Sequence, residues 1–272
     1  MTPGLHIEPF HHNETGTWSY LVHLDGDAVV IDPVLDYDPA TDRVGTGSAD
    51  ALLARIAAAQ LRLLRILETH AHADHLSAGA YLCAKTGAPI AIGEGIRTVQ
   101  AHFAPLYGRS PDDPELTNAF DELLRDAQVL QAGALRIEAM ALPGHTSDSL
   151  GYRIGDNVFV GDTVFAPDLG TARCDFPGGD ARSLHASIER LHALPDETLL
   201  WLCHDYPPEG RALRASVSLG ESARDNRMLP RGTPVEAFVS ARQARDAGLP
   251  APKLLQPALD ANIRGGRLPS PA

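Results

Sequence analysis

The sequence predicts an α/β fold, because strand and helix signals alternate along most of its 272 residues. Two β-hairpins are predicted where β-rich runs flank a glycine-containing turn, one over residues 18–32 and one over 150–160. Residues 48–60 and 180–193 show the apolar spacing of amphipathic helices. Side chains of the metal-ligand type follow several of the predicted strands. We therefore expect a sheet-based domain with a polar site where strands end.

Turn and capping residues place the other elements. Ser48 is the expected N-cap of helix 48–60, and Gly87 is expected to end a helix over 76–86. Thr233–Glu236 has the pattern of a capping box with proline at the first helical position, and Gly248 and Pro250 are expected to close that helix. Residues 109–114 are expected to form a surface loop. Further strands are predicted at residues 63–67, 88–92, 135–140 and 198–202.

A single domain is predicted, since the sequence shows no internal repeat and no low-complexity linker. We expect it to span residues 1–272, with a core over about 15–210. A helical C-terminal extension over about 211–272 is expected to pack on that core. The apolar content of 44% is sufficient for one large core or two fused layers.

Composition excludes several classes of function. The formal net charge of −12 disfavours a nucleic-acid partner, because binding phosphates requires a basic face. No run of eighteen apolar residues occurs, so no membrane span is expected. The first residues lack a basic segment followed by an apolar one, which argues against a secretory signal. Three cysteines, Cys83, Cys174 and Cys203, form no evident disulfide framework. We therefore expect a cytoplasmic protein.

A cluster of histidines follows the predicted strand 63–67. His70, His72, Asp74 and His75 fall within one short turn. Imidazole is the commonest protein ligand for zinc and Fe(II), and a carboxylate adds the negative charge that holds a cation. The alternative is a solvated loop that happens to be rich in histidine. Further ligand-type residues at later strand ends disfavour it: His145, Asp162 and His204 each come directly after a predicted strand.

This ordered set of seven residues resembles the metallo-β-lactamase superfamily, over roughly residues 15–210. The resemblance implies an αβ/βα four-layer sandwich, in which two mixed sheets are flanked by helices and the metal lies at one edge between them. Fold alone does not determine the reaction.

A narrower resemblance is to persulfide dioxygenases, including the ethylmalonic-encephalopathy protein and bacterial β-lactamase-hydrolase-like proteins. It is carried by residues 68–75, 161–163, 170–176 and 203–206 and by the tail 252–264. The family uses one Fe(II) per chain to oxidise glutathione persulfide with O2 to sulfite and glutathione. The resemblance implies that His70, His145 and Asp162 ligate the iron. Two histidines and one carboxylate leave open positions on the ion for O2 and sulfur. The other ligand-type residues are then supporting groups or ligands of a second metal: His72, Asp74, His75 and His204.

The same resemblance implies further site residues. Tyr206 is expected near the iron or the substrate, or else as an ordinary half-buried tyrosine. Arg173 is expected to contact the carboxylates of glutathione, the alternative being a surface arginine that pairs with Asp175. Lys253 and Arg264 are expected to add positive potential from the tail. Cys174 is a candidate for a reactive thiol if Arg173 lowers its pKa, the alternative being a structural cysteine, as most lone cysteines are.

Two alternatives stay open. All seven ligand-type residues of a two-metal site are present, so a dinuclear zinc centre bridged by Asp162 would allow a hydrolase that cleaves a thioester, as glyoxalase II does, or a lactam. A sensor that binds a metal or a persulfide is the non-enzymatic alternative. If the dioxygenase interpretation holds, we expect a separate sulfurtransferase partner, because no rhodanese-type segment is fused here, and the resemblance suggests a homodimer.

Overall fold

A computed structural model describes residues 3–268 of the chain. In chain order its strands are β1 (His6–His12), β2 (Thr17–Leu24), β3 (Asp27–Ile31), β4 (Val34–Asp38), β5 (Arg43–Gly45), β6 (Arg62–Leu67), β7 (Leu76–Ser77), β8 (Ile90–Gly93), β9 (Glu122–Leu124), β10 (Val129–Ala132), β11 (Leu135–Ala141), β12 (Leu150–Ile154), β13 (Asn157–Phe159), β14 (Leu199–Trp201) and β15 (Ser216–Ser218). Its helices are α1 (Gly47–Ala58), α2 (Gly79–Thr86), α3 (Ile96–Phe103), α4 (Pro114–Thr117), α5 (Ala181–His192), α6 (Leu219–Asp225), α7 (Val235–Asp246) and α8 (Leu255–Asn262).

Two six-stranded sheets carry the fold. The first has the order β1-β2-β3-β6-β8-β9 and the second runs from β10 to β15 in sequence order. Both sheets are mixed: β3, β6, β8 and β9 pair in parallel and so do β13 and β14, whereas the remaining pairs are antiparallel. Both predicted hairpins are present, as β2–β3 and β12–β13.

Apolar side chains form three layers of core. The middle layer joins the sheets, with Val29 and Ile31 of the first sheet in one cluster with Tyr152 and Phe159 of the second. Burying such side chains removes their apolar surface from water, which is the main force that holds the sheets together. Helices α1, α2, α3 and α8 cover the outer face of the first sheet, and α5, α6 and α7 cover that of the second. The predicted four-layer αβ/βα sandwich is therefore confirmed.

Several predicted element ends were wrong. Ser48 lies inside the first turn of α1 and bonds the Asp36 carboxylate from both its backbone and its hydroxyl, so Thr46 takes the N-cap position. Leu76 and Ser77 pair with β4 as a short strand, and the following helix begins only at Gly79. The capping box at Thr233 does not form, because its hydroxyl bonds the Pro230 carbonyl instead.

The segment after residue 210 belongs partly to the sheets. Strand β15 closes the second sheet against β14, and β1, which begins before residue 15, forms the edge of the first. The sheets therefore extend beyond the expected core limits of 15–210. Helix α8 packs against β7 and buries Ala258 and Leu259 in the outer core. Residues 269–272 of the expected extension lie outside the described part of the chain. Among residues 3–268, no helix combines the length and apolar character that crossing a bilayer requires.

Candidate metal centre

The ends of five strands converge on one polar site. The turn with His70 follows β6, and His145, Asp162 and His204 follow β11, β13 and β14. Asp32 comes directly after β3. Gly161 lets the Asp162 turn approach the first sheet, since its φ is +51° and a Cβ there would lie 2.7 Å from Thr69 Oγ1. The two sheets thus contribute ligand-type side chains to a common edge.

The first group of ligand atoms comes from His70, His145 and Asp162. One atom of each lies within 4.8 Å of the others, and all three residues are buried. The Nδ1 of His145 is 2.8 Å from the carbonyl oxygen of Arg173, so that nitrogen carries the proton and donates it. The Nε2 of His145 keeps its lone pair, and it lies 3.7 Å from Asp162 Oδ2. Backbone contacts therefore orient this histidine as a ligand.

The second group comprises His72, Asp74, His75 and His204, again with one atom of each within 4.8 Å. The Nε2 of His204 is 3.2 Å from Asp74 Oδ2 and 3.4 Å from Asp162 Oδ1. Asp162 consequently lies between the two groups, with one oxygen toward each. The structure brings together all seven ligand-type residues that the sequence indicated.

Unpaired ligand atoms show that the cluster fits a cation. Five buried atoms of these residues make no hydrogen bond: His70 Nε2, His72 Nδ1, His75 Nε2, His204 Nε2 and Asp162 Oδ1. A buried polar atom without a partner costs about 1–3 kcal/mol. Five such atoms on residues of the two groups match the donor set of a metal site, because a bound cation would satisfy lone pairs that hydrogen bonds leave unused.

Burial also sets the protonation of the cluster. Burial, together with the neighbouring His72 imidazole, holds the pKa of His70 well below its usual range. The pKa of His72 is lowered in the same way, by burial and by His75. At His204 burial opposes protonation, but the Asp74 and Asp162 carboxylates outweigh it and raise the pKa. Neutral imidazoles are the metal-binding form, so His70 and His72 are prepared as ligands.

Asp32 is a supporting residue that the sequence reasoning missed. Its carboxylate is 2% exposed. Oδ1 accepts hydrogen bonds from the Thr69 N–H at 2.7 Å and from His72 Nε2 at 3.1 Å, and Oδ2 accepts one from the Thr69 hydroxyl at 2.9 Å. It therefore fixes the ring of His72 through Nε2 and leaves Nδ1 without a protein partner. The signal was available, since Asp32 follows an apolar strand as the other ligands do.

Two more side chains, both distant in sequence, contact the histidine turn or its neighbour His204 directly. Asn262 of α8 donates from its amide to the carbonyls of His72 and His75, both at 2.8 Å. The Thr17 hydroxyl lies 3.3 Å from His75 Nδ1 and 3.4 Å from His204 Nδ1. Hydrogen bonds of this kind orient the ligands of a metal site and strengthen their binding.

A cavity of about 220 Å³ opens beside both groups. His145, Asp162, Asp74 and His204 form its floor. Its walls are mainly apolar and aromatic, with three arginines: Phe165, Leu169, Phe176, Leu249, Pro252, Arg173, Arg242 and Arg245. Tyr206 also lines it and is 50% exposed. The Tyr206 hydroxyl lies 3.1 Å from both the Thr15 carbonyl and His204 Nδ1, so it contacts the second group.

The expected substrate residues lie in different settings. Arg173 lines the cavity, but its Nε and Nη2 bond both oxygens of Asp175 at 2.6 and 2.7 Å, the alternative that the sequence left open. Lys253 is exposed beside Pro252 of the cavity wall. Arg264 was placed wrongly: its side chain is 2% exposed, does not line the cavity and pairs with Asp260 at 3.2 Å.

Of the two alternatives for Cys174, the structure favours a structural cysteine over a reactive thiol. The residue is 9% exposed, and burial raises the pKa of its thiol to about 12, with Asp246 adding to the shift. The neighbouring Arg173 does not reverse this effect, because Asp175 neutralises its charge. A thiol with so high a pKa is protonated at neutral pH and is a poor nucleophile.

Comparison with known proteins places the chain among relatives of this architecture. The family pattern described as Metallo-beta-lactamase superfamily matches residues 12–204. The crystal structure of ETHE1 from Myxococcus xanthus superposes with a TM-score of 0.77 at 30% sequence identity, covering 96% of this chain and 100% of that chain. A probable metallo-hydrolase of Burkholderia pseudomallei is 45% identical, covering 97% of this chain and 94% of that protein.

Two further likenesses bear on function. The beta-lactamase hydrolase-like protein of Agrobacterium fabrum is 44% identical over 98% of this chain, which spans 62% of that relative's length. Hydroxyacylglutathione hydrolases are also among the relatives: that of Aeromonas hydrophila is 30% identical over 76% of this chain and 66% of that protein.

Proposed function

The chain belongs to the metallo-β-lactamase superfamily, and from that premise we propose that the protein is a mononuclear Fe(II) persulfide dioxygenase. The proposed reaction converts glutathione persulfide, O2 and water into glutathione, sulfite and two protons. Four electrons leave the outer sulfur and reduce O2, so atoms and charge balance without another reductant. A separate sulfurtransferase as the source of persulfide, and a homodimeric assembly, belong to the same proposal.

The observation that carries the proposal is the separate group of His70, His145 and Asp162. Two imidazoles and one carboxylate form the ligand set typical of non-haem Fe(II) oxygenases. When bound, Fe(II) supplies open coordination positions and electrons for oxygen chemistry. The similarity to ETHE1 over nearly the whole chain supports the same interpretation.

The protein's own residues have distinct tasks in this reaction. The Arg173 carbonyl holds the His145 ring with Nε2 toward the ligand group. Asp162 brings negative charge to that group and, from its other oxygen, faces His204. Phe165, Phe176 and Leu169 line the cavity and limit the water beside the reacting sulfur. Tyr206 places a hydroxyl at the same cavity, next to His204.

A dinuclear zinc hydrolase is the second candidate. The group of His72, Asp74, His75 and His204 is complete, and Asp162 lies between it and the first group. Two zinc ions held this way would generate hydroxide for thioester hydrolysis. The relatives that carry hydrolase names support this alternative.

Metal content and oxygen uptake separate the two candidates. Purified protein is expected to contain about one iron per chain and to consume O2 with glutathione persulfide, releasing sulfite. Two zinc ions, no oxygen uptake and hydrolysis of S-lactoylglutathione would instead support the hydrolase.

Asp162→Ala tests the ligand assignment. It is expected to empty the first group and to abolish oxygen uptake, because a two-histidine site lacks the carboxylate that holds the cation. Asp225→Ala is the matched control, since Asp225 is an exposed carboxylate paired with Arg224 on α6. Full metal content and activity in Asp162→Ala would contradict the assignment.

A further inference from the structure

Three arginines line the cavity beside the metal centre: Arg173, Arg242 and Arg245. The carboxylates that line it, Asp74 and Asp162, belong to the two ligand groups. A cavity with this charge distribution suits an anionic ligand on its arginine side. Which arginine is free to bind that ligand depends on the partners that each already has.

The guanidinium of Arg242 is already bonded to groups of the protein. Its side chain is 1% exposed, with Nε 2.9 Å and Nη2 2.6 Å from Asp246 Oδ1 and with Nη1 donating to the Thr171 carbonyl at 2.9 Å. The other oxygen of Asp246 accepts the Cys174 N–H at 2.9 Å. This network attaches α7 to the loop that lines the cavity.

The guanidinium of Arg173 is also already bonded within the protein. Asp175 takes two of its N–H groups, and Nη1 donates to the Pro250 carbonyl at 2.7 Å. Its guanidinium also lies 4.8 Å from the centroid of the Phe176 ring. Arg173 thus ties the segment after α7 to the cavity loop, and its charge is already balanced.

Arg245 differs from both. It follows Arg242 on α7 by three residues, is half-buried and lines the cavity. Within residues 3–268 its guanidinium makes no hydrogen bond and no ion pair. Burial and the nearby Arg227 and Arg242 lower its pKa, while Asp246, already bonded to Arg242, opposes the shift only partly. A partly desolvated cation beside two other cations is unfavourable unless an anion pairs with it.

We propose that Arg245 is the residue that recognises a carboxylate of the thiol carrier and thereby makes the enzyme selective for carboxylate-bearing thiols. The identity of that carrier as glutathione rests on the proposed function. A guanidinium pairs with a carboxylate through two parallel hydrogen bonds, and the partly buried setting strengthens that pair. Arg173 and Arg242 then act as positioning residues, because they hold the helix and loop that present Arg245.

Binding of a non-reacting ligand tests the proposal. We use S-methylglutathione and measure its dissociation constant by calorimetry on the metal-loaded protein without O2. Arg245→Ala is expected to weaken binding about tenfold or more, which corresponds to the loss of a hydrogen-bonded charge pair. Arg245→Lys keeps the positive charge but not the two parallel donors of the guanidinium, so its dissociation constant is expected to lie between those of wild type and Arg245→Ala. Arg224→Ala on α6, an exposed arginine outside the cavity, is the control for lost charge.

A second ligand identifies the group that Arg245 binds. The diethyl ester of S-methylglutathione has no free carboxylate, so its affinity is expected to be equal in wild type and Arg245→Ala. An unchanged affinity of Arg245→Ala for the free acid, an equal loss for acid and ester, or no binding by wild type would overturn the proposal. Arg245-dependent binding without persulfide oxidation would leave the recognition intact and refute only the dioxygenase function.

Discussion

Asp32 provides a sharp test of how the metal centre is supported. Its carboxylate is buried and accepts four hydrogen bonds: two from Thr69, one from His72 and a longer one from the Cys203 thiol at 3.8 Å. Asp32→Ala removes the partner of the Thr69 N–H and of His72 Nε2, and it leaves the Thr69 hydroxyl only its contact with His70 Nδ1 at 3.1 Å. Each buried unpaired donor costs about 1–3 kcal/mol, and partial relaxation keeps the sum below full additivity, so we expect a loss of about 3–5 kcal/mol of unfolding free energy.

Asp32→Asn separates geometry from charge. The amide oxygen can still accept from the Thr69 N–H and from His72, which both bond Oδ1, and the amide nitrogen can donate to a rotated Thr69 hydroxyl. Only the negative charge is lost. Because hydrogen bonds to charged groups are stronger than neutral ones, we expect a stability loss of about 1 kcal/mol. The weaker partner for His72 should also lower metal affinity by about 10-fold.

Denaturant unfolding of each metal-free variant measures its free energy of unfolding, and competition with a chelator of known affinity measures its metal affinity. Asp225→Ala is the surface control and is expected to change stability by less than about 0.5 kcal/mol. The reasoning is refuted if Asp32→Ala unfolds with wild-type free energy, or if both Asp32 variants bind metal as wild type does.

Two further predictions concern the cavity wall. Arg173→Ala is expected to retain the metal but to raise KM for the persulfide, because it leaves the Asp175 carboxylate unbalanced near an anionic substrate. The double variant Arg173→Ala/Asp175→Asn should then restore KM. If Arg173 instead contacts the substrate directly, the double variant should not restore KM. Cys174, with its pKa raised by burial to about 12, has about one thiolate in ten thousand at pH 8. Its alkylation in the folded protein should therefore be slow and accelerate toward pH 12, and rapid modification at pH 8 without unfolding would contradict the burial argument.

The ligand residues were predictable because their signal is local. Each lies directly after an apolar run, and strands that pair in one sheet bring their ends to a common edge. The hairpins were predictable for a similar reason, since turn residues and flanking β-rich runs are neighbours in sequence. Helix starts were less predictable: Ser48 has a good capping side chain, but Asp36 on the adjacent strand competes for it.

The partners of the residues that surround the ligands were not predictable from local patterns, although the position of Asp32 after an apolar strand was a local signal. Asp32 and His72 are 40 residues apart, and Asn262 reaches the carbonyl of His72 from 190 residues away. The pairing of Arg173 with Asp175 was one of two alternatives that the sequence left open. Arg245 also has an aspartate next to it in the sequence, and only the structure shows that Arg173 has an acidic partner whereas Asp246 bonds Arg242 instead. For Arg264 the local pattern was misleading. Its place in a tail that resembles the family predicted a contribution to substrate binding, whereas the turn after α8 buries its side chain against Asp260.

The C-terminal segment is part of the metal centre, in ways that an appended helical extension would not be. Asn262 holds the histidine turn through two carbonyls and accepts the Ser77 N–H with its oxygen. Asp246 holds the Cys174 loop, whose neighbouring Arg173 carbonyl orients His145. Both ligand groups therefore depend on residues beyond 240, although the ligands themselves all precede residue 205. Because α7 also carries Arg245, one segment supports the metal ligands and lines the cavity beside them. Under the proposed function, changes in this segment are expected to alter metal binding and substrate selectivity together.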